Sequence, residues 1–128
     1  MLHLEHINLV VKDLPSTLVF YQAAFPHWSV RGGDSDTWYG TQRNWIRFGD
    51  DYQYLTFNDH GQGNNRDLTS SQLGLVHFAF VTSDLCALIS RLGADDPFRR
   101  HVYFIDPSGY EVEFVEYLSD LPSERNRY

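Results

Sequence analysis

The chain has 128 residues, of which 42% are hydrophobic and 21% charged. This ordinary globular composition excludes a disordered, fibrous or low-complexity chain, and the length suits one domain or two half-size modules that share a core. The net charge of −7 argues against nucleic acid or an anionic membrane surface as a partner.

The single cysteine, Cys86, excludes an intramolecular disulfide bond. The sequence shows neither a signal-peptide pattern nor an apolar run of the ~20 residues that a membrane helix needs. We therefore expect a cytoplasmic protein with no membrane partner.

An internal repeat organises the chain. Residues 6–14, His-Ile-Asn-Leu-Val-Val-Lys-Asp-Leu, align without gaps with residues 77–85, His-Phe-Ala-Phe-Val-Thr-Ser-Asp-Leu. In each copy a histidine opens an apolar run, and an aspartate followed by leucine closes it. A repeat of this kind predicts two similar structural modules.

The first copy predicts a strand, a helix and further strands. Residues 4–11 are rich in Val, Ile and Leu, which favours a half-buried strand. Asp13 stands where a helix N-cap is expected, and Pro26 marks the end of the helix that follows. Three strands are then predicted, at residues 37–41, 45–48 and 52–57.

The second copy repeats this plan after a polar linker. A strand is predicted at residues 75–81, with Asp84 as the helix N-cap and Gly93 as the helix stop. Two further strands, at residues 101–105 and 110–117, flank the turn 106–109. The interval from Gly93 to Arg100 is short for a full strand, so we expect the second sheet to be trimmed there.

The predicted fold is therefore α+β, with two βαβββ modules that form a cupped mixed β-sheet in a single domain, 1–128. The expected boundaries are module 1 at about 1–58, a linker at about 59–71, module 2 at about 72–120 and a C-terminal tail at 121–128.

Strand alternation predicts a candidate metal site. Side chains alternate between the two faces of a strand, which places His6 and His77 on the face turned away from each helix, together with Glu113 of the last strand. A single strand histidine is more often structural, but the same register in both copies favours a shared role. Two imidazoles and a carboxylate suit Fe(II), Mn(II), Ni(II) or Zn(II).

Three segments carry a family resemblance: LEHINLVVKDLPSTLVFYQAAF, LVHFAFVTSDL and DPSGYEVEFVEY. They resemble the vicinal oxygen chelate superfamily, which includes glyoxalase I, extradiol dioxygenases, fosfomycin-resistance thiol transferases and bleomycin-resistance proteins. The resemblance implies two βαβββ modules around a divalent metal ion, with His6, His77 and Glu113 as ligands. It also implies a homodimer.

One position departs from glyoxalase I, whose first module supplies a further glutamate. The matching position here is Tyr54. The three-ligand set is instead similar to that of the dioxygenase and fosfomycin-transferase branches.

The leading hypothesis is a metal-dependent enzyme of the lyase, isomerase, dioxygenase or thiol-transferase type, which binds a small substrate through vicinal oxygens. Glu113 would serve as both ligand and proton shuttle. The residues expected to contact the substrate are Asn8, Trp45, Tyr54 and Tyr103. The alternative is a metal-free binding protein that sequesters a small molecule, as bleomycin-resistance proteins do, and a third possibility is a domain that kept the fold without the chemistry.

Overall fold

The computed structural model describes residues 1–93, 100–117 and 121. The chain divides into two compact units, Met1–Asn64 and Asn65–Tyr128, which we call unit 1 and unit 2. No helix in the described ranges is long and apolar enough to cross a membrane.

Unit 1 has the predicted βαβββ plan. Its elements are β1 (His6–Val10), α1 (Leu14–Ala24), β2 (Ser29–Trp38), β3 (Thr41–Gly49) and β4 (Tyr54–Asn58). The strands form one mixed sheet in the order β1-β4-β3-β2, in which β1 runs parallel to β4 and the other pairs are antiparallel. The first and last strands of the module are therefore neighbours.

Helix α1 begins and packs as the sequence predicts. The Asp13 carboxylate accepts hydrogen bonds from the Ser16 backbone N–H at 2.8 Å and from the Ser16 hydroxyl at 2.6 Å. The fully buried Tyr21 ring lies 5.0 Å from the ring of Phe57 on β4. The core of unit 1 thus lies between α1 and one face of the sheet.

The prediction of a strand at residues 37–41 is wrong, because that segment contains a turn. Strand β2 ends at Trp38, and Tyr39 and Gly40 both have positive φ, 49° and 79°. Two such residues form the tight turn that joins antiparallel strands. The long β2 was missed because residues 29–37 are polar, glycine-rich and exposed, so pairing with β3 holds this strand without an alternating apolar pattern.

The next turn also lies later than expected. The Asp50 carboxylate accepts hydrogen bonds from the backbone N–H groups of Tyr52 and Gln53, each at 2.8 Å. Strand β4 therefore begins at Tyr54 rather than at Tyr52.

Unit 2 repeats the first part of the plan. Its described elements are β5 (Phe78–Val81), α2 (Leu85–Leu92), β6 (His101–Ile105) and β7 (Glu111–Val115), and the strand order is β5-β7-β6. The predicted trimming of this sheet falls at residues 94–99, outside the described residues. Strand β5 begins at Phe78, so His77 lies immediately before the strand instead of within it.

The ends of α2 follow the predicted signals. The Asp84 carboxylate accepts from the Ala87 backbone N–H at 3.0 Å. Gly93 has φ 77°, and its N–H donates to the carbonyls of Ile89 and Ser90, which is the usual left-handed end of a helix. The buried core of this unit contains Phe78, Leu85, Leu88, Ile89, Val102, Val112 and Phe114.

Part of the predicted linker is ordered within unit 2. The Arg66 guanidinium donates to the carbonyl oxygens of Gln72 at 3.0 Å and Ser70 at 2.8 Å. The Asn65 amide donates to the Gly109 carbonyl at 2.9 Å. The Asn65 bond attaches the polar stretch to the turn between β6 and β7, and the Arg66 bonds hold residues 66–72 together.

The N-cap of α1 leads to a prediction on pH. The hydrogen bonds from the Ser16 hydroxyl and then from its backbone N–H hold the pKa of Asp13 below its ordinary value of 3.8. A lowered folded-state pKa stabilises the fold above pH 3.8, and this stabilisation is lost as the pH falls through the folded-state pKa. We therefore expect Asp13→Ala to lower the Tm at pH 7, with the gap to wild type narrowing as the pH falls below 3.8.

Thermal unfolding followed by circular dichroism at several pH values measures this gap. The control is Asp51→Ala in the exposed turn before β4, which should leave the Tm unchanged. A gap for Asp13→Ala that is the same at every pH would contradict a role for the ionised carboxylate.

Candidate functional site

Each sheet has one face that carries its buried core side chains and an opposite face, which we call the helix-free face. In β7, Val112 and Phe114 are fully buried, while Glu111 and Glu113 alternate with them and are partly exposed. The register pairs Glu113 with Ala79 of β5 and with Tyr103 of β6. Glu113 therefore lies on the central strand of the unit 2 sheet, on its helix-free face, as the alternation predicts.

His77 and Glu113 are brought together in unit 2. Nε2 of His77 lies 3.2 Å from Oε2 of Glu113, and Nδ1 of the same ring lies 3.9 Å from Oε1 of Glu111. The Glu113 side chain is only 18% exposed, and a carboxylate with so little access to water needs a polar partner. The imidazole supplies that partner, and the two facing atoms are both types that bind divalent metal ions.

Tyr103 completes this cluster. Its ring meets the His77 ring edge-on, with centroids 5.5 Å apart. Desolvation raises the pKa of Tyr103 above its ordinary value of 10.0, and the hydrogen bond to Glu113 and the charges of Glu113 and Glu111 raise it further. The phenol therefore stays protonated at neutral pH and can donate its proton to a carboxylate or a bound oxygen.

His6 lies on the helix-free face of unit 1 with a carboxylate partner of its own. Its Nδ1 is 2.8 Å from Oε1 of Glu5, and its ring stacks on Tyr54 with centroids 4.7 Å apart. The Tyr54 hydroxyl also lies 3.4 Å from the same Glu5 oxygen. Because Glu5 engages Nδ1, Nε2 is the nitrogen left for a ligand, an arrangement common among metal-binding histidines.

Glu5 and Glu111 were not among the predicted site residues. Neighbouring residues in an extended chain normally point to opposite sides, so no sequence pattern pairs Glu5 with His6. Glu111 lies on the same face of β7 as Glu113, so the alternation of side chains along the strand could have identified Glu111 as a site residue.

Asn8 and Trp45 occupy the same face of unit 1 as His6. The Asn8 side-chain oxygen accepts a hydrogen bond from the Asn58 amide at 2.5 Å. Trp45 pairs with Asn58 across β3 and β4 and is half-buried. Both therefore lie beside the buried amide of Asn58 on the sheet that carries His6.

The predicted residues thus form two groups, one in each unit. His77, Glu113 and Tyr103 are in contact in unit 2, and His6, Tyr54, Asn8 and Trp45 share one sheet face in unit 1. Among the residues that the structure describes, no group of three or more His, Cys, Asp or Glu side chains is arranged to hold a metal ion. The donor chemistry of the His77–Glu113 pair nevertheless fits a divalent cation, and joint ligation with His6 stays a prediction.

Solved structures share this fold over nearly the whole chain. A glyoxylase/bleomycin resistance protein/dioxygenase domain from Frankia sp. EAN1pec matches with a TM-score of 0.71 and 19% identity, covering 99% of both chains. The fosfomycin resistance protein FosX from Listeria monocytogenes, complexed with Mn(II) and sulfate, matches with a TM-score of 0.66 and 22% identity, also covering 99% of both chains. A glyoxalase family protein from Enterococcus faecalis has a TM-score of 0.63 and 19% identity, covering 89% of this chain and 97% of its own.

These neighbours belong to the vicinal oxygen chelate superfamily, and the chain has their fold. The predicted fold class is thereby confirmed. No protein-family model matches the sequence, and no curated protein matches it either.

Proposed function

We propose that the chain is a metal-dependent enzyme that binds a small oxygenated substrate through two adjacent oxygens. The observation that carries this proposal is the approach of His77 Nε2 to Glu113 Oε2, 3.2 Å apart on the helix-free face of unit 2. The repeat-equivalent histidine, His6, is held by a carboxylate through Nδ1, as a metal-binding histidine commonly is.

The fold comparison supports a divalent cation. FosX from Listeria monocytogenes, which shares the fold, was crystallised with Mn(II). Imidazole and carboxylate donors suit Mn(II), Fe(II), Ni(II) and Zn(II) alike, so all four ions are tested.

His77 and Glu113 would hold the ion, and the family resemblance adds His6 as a third donor. A bound divalent ion would supply Lewis acidity that stabilises negative charge on substrate oxygens. Glu113, as the carboxylate next to the reacting oxygens, can accept a proton, and the protonated phenol of Tyr103 can donate one. We propose that Asn8, Trp45 and Tyr54 contact the substrate, because they share a sheet face with His6.

A homodimer is proposed on the family resemblance alone.

Metal binding is tested directly with His77→Ala. We expect Mn(II), Ni(II), Zn(II) or Fe(II) at about 100 times its Kd to raise the Tm of the wild type by on the order of 5–10 °C. The same ions should leave the Tm of His77→Ala nearly unchanged, because one of two adjacent donors is gone. Metal analysis of both proteins purified without chelator gives a second measurement.

The matched control is His27→Ala, which removes an exposed histidine from the turn after α1 and should retain the wild-type response. His6→Ala tests the third donor in the same assay. A flat Tm for the wild type with every ion, or equal metal content in wild type and His77→Ala, would contradict the metal site and favour the metal-free binding protein.

A further inference from the structure

Two arginines face each other on the helix-free face of unit 1. The pairing of β2 with β3 shifts register between Val30 and Gly32, so Arg31 is an extra residue and lies with Gly32 opposite Arg47. A bulge of this kind redirects a side chain, and bulges are frequent beside functional sites. Gly32 adds no side chain, and a Cβ there would meet nothing within 4 Å, so the space beside Arg31 is open.

Both guanidinium groups lie against the same aromatic ring. Cζ of Arg31 is 4.6 Å and Cζ of Arg47 is 5.3 Å from the centroid of the Tyr54 ring. The Tyr54 side chain is buried, which fixes the ring in place. Attraction between the cations and the ring face therefore holds two positive charges close together.

Among the described residues, neither arginine is bound by a carboxylate, although the charge of Arg31 acts on Glu5 and Asp50. All residues of unit 1 are described, and within the described part of the chain neither Arg31 nor Arg47 makes a hydrogen bond or an ion pair. Arg43 on the same sheet differs, because its guanidinium binds the Asp36 carboxylate at 2.7 and 3.3 Å. Arg31 lies in the bulge beside Gly32, the register partner of Arg47, and like charges this close on neighbouring strands are destabilising.

We propose that Arg31 and Arg47 form an oxyanion subsite that binds a carboxylate or phosphoryl group of a small-molecule ligand. Guanidinium groups bind such groups through paired N–H donors, and a bound anion would remove the repulsion between the two arginines. The His6 ring stacks on the Tyr54 ring that both arginines contact. The subsite therefore adjoins His6. Anion binding by the two arginines does not depend on the proposed function; the statement that the bound molecule is the enzyme's substrate rests on it.

The test is anion binding to the full chain after removal of metal with a chelator. Isothermal titration calorimetry at low ionic strength would use inorganic phosphate, methylphosphonate and acetate as probes, so that tetrahedral and planar oxyanions are compared. We expect Arg31→Gln and Arg47→Gln each to weaken binding of the preferred probe by about tenfold or more, and the double variant to abolish it.

The charge-matched control is Arg91→Gln in the last turn of α2, which should change the affinity by less than about twofold, since Arg91 is not part of the proposed subsite. Arg31→Gln should also leave the Tm of the anion-free protein nearly unchanged, because it removes the like-charge contact with Arg47 together with the attraction to Glu5 and Asp50; a structural role would lower the Tm. The subsite would be overturned if the wild type binds none of the probes, or if Arg91→Gln weakens binding as much as Arg31→Gln and Arg47→Gln do. Since no metal is present, these results are independent of the His77→Ala test of the metal site.

Discussion

Replacing Glu113 by glutamine is expected to lower the affinity for divalent metal by about 100-fold or more while leaving the metal-free fold intact. Glutamine has nearly the same shape as glutamate, so the side chain can keep its position on β7 beside His77. The change removes the negative charge 3.2 Å from Nε2 of His77, and a neutral amide is a much poorer ligand for a divalent cation than a carboxylate. Calorimetric titration with Mn(II) or Zn(II) measures the loss.

Glu111→Gln is the matched control for this prediction. It removes the same charge from the same strand and face, but Glu111 lies 3.9 Å from the other ring nitrogen of His77. We expect an affinity loss of about tenfold or less, since Glu111 would act through His77 or through its charge rather than as a ligand. Equal losses for the two variants would mean that the acidity of this face, and not ligation by Glu113, attracts the cation.

The placement of Glu113 could be predicted from sequence because a strand has a side-chain period of two. Once Val112 and Phe114 are taken as core residues, Glu113 can only lie on the opposite face. The N-caps Asp13 and Asp84 were predictable for a similarly local reason, because an aspartate at a helix start satisfies backbone N–H groups that have no other partner.

Features that depend on pairing between strands were not predictable in this way. The bulge at Arg31 exists only as a mismatch between β2 and β3, and no pattern within β2 reveals it. The same holds for the approach of Arg31 and Arg47 to Tyr54, which requires three strands in register. The contact of Glu5 with His6 depends on side-chain rotamers that alternation alone does not specify.

The sheet of unit 1 also depends on one buried amide. Asn58 at the end of β4 is fully buried. Its amide nitrogen donates to the side-chain oxygen of Asn8 at 2.5 Å and to the backbone carbonyl of Leu9 at 2.9 Å, both on β1. Its side-chain oxygen accepts from Arg43 of β3 at 2.6 Å. One side chain thus joins three adjacent strands.

Asn58→Leu is therefore expected to destabilise the protein by roughly 3 kcal/mol, because each buried polar group left without a partner costs about 1–3 kcal/mol. Leucine has the same number of side-chain heavy atoms as asparagine, branched in the same way, and leaves no cavity, so the loss would mainly reflect the missing hydrogen bonds. Urea unfolding followed by circular dichroism measures it. The control is Asn44→Leu on β3, whose exposed amide binds Asp59 at 2.9 Å and can be replaced by water, so a change within about 1 kcal/mol is expected.

The two outcomes for Asn58 also bear on the face that carries His6. If Asn58→Leu unfolds at lower urea than Asn44→Leu, the buried amide holds β1 against β4, and with it the register that pairs His6 with Tyr54. If the two variants unfold together, the apolar contacts of Leu9, Leu55 and Phe57, all nearly or fully buried, are sufficient to hold that register. In that case the position of His6 would depend on the core under α1 and not on the polar network of the opposite face.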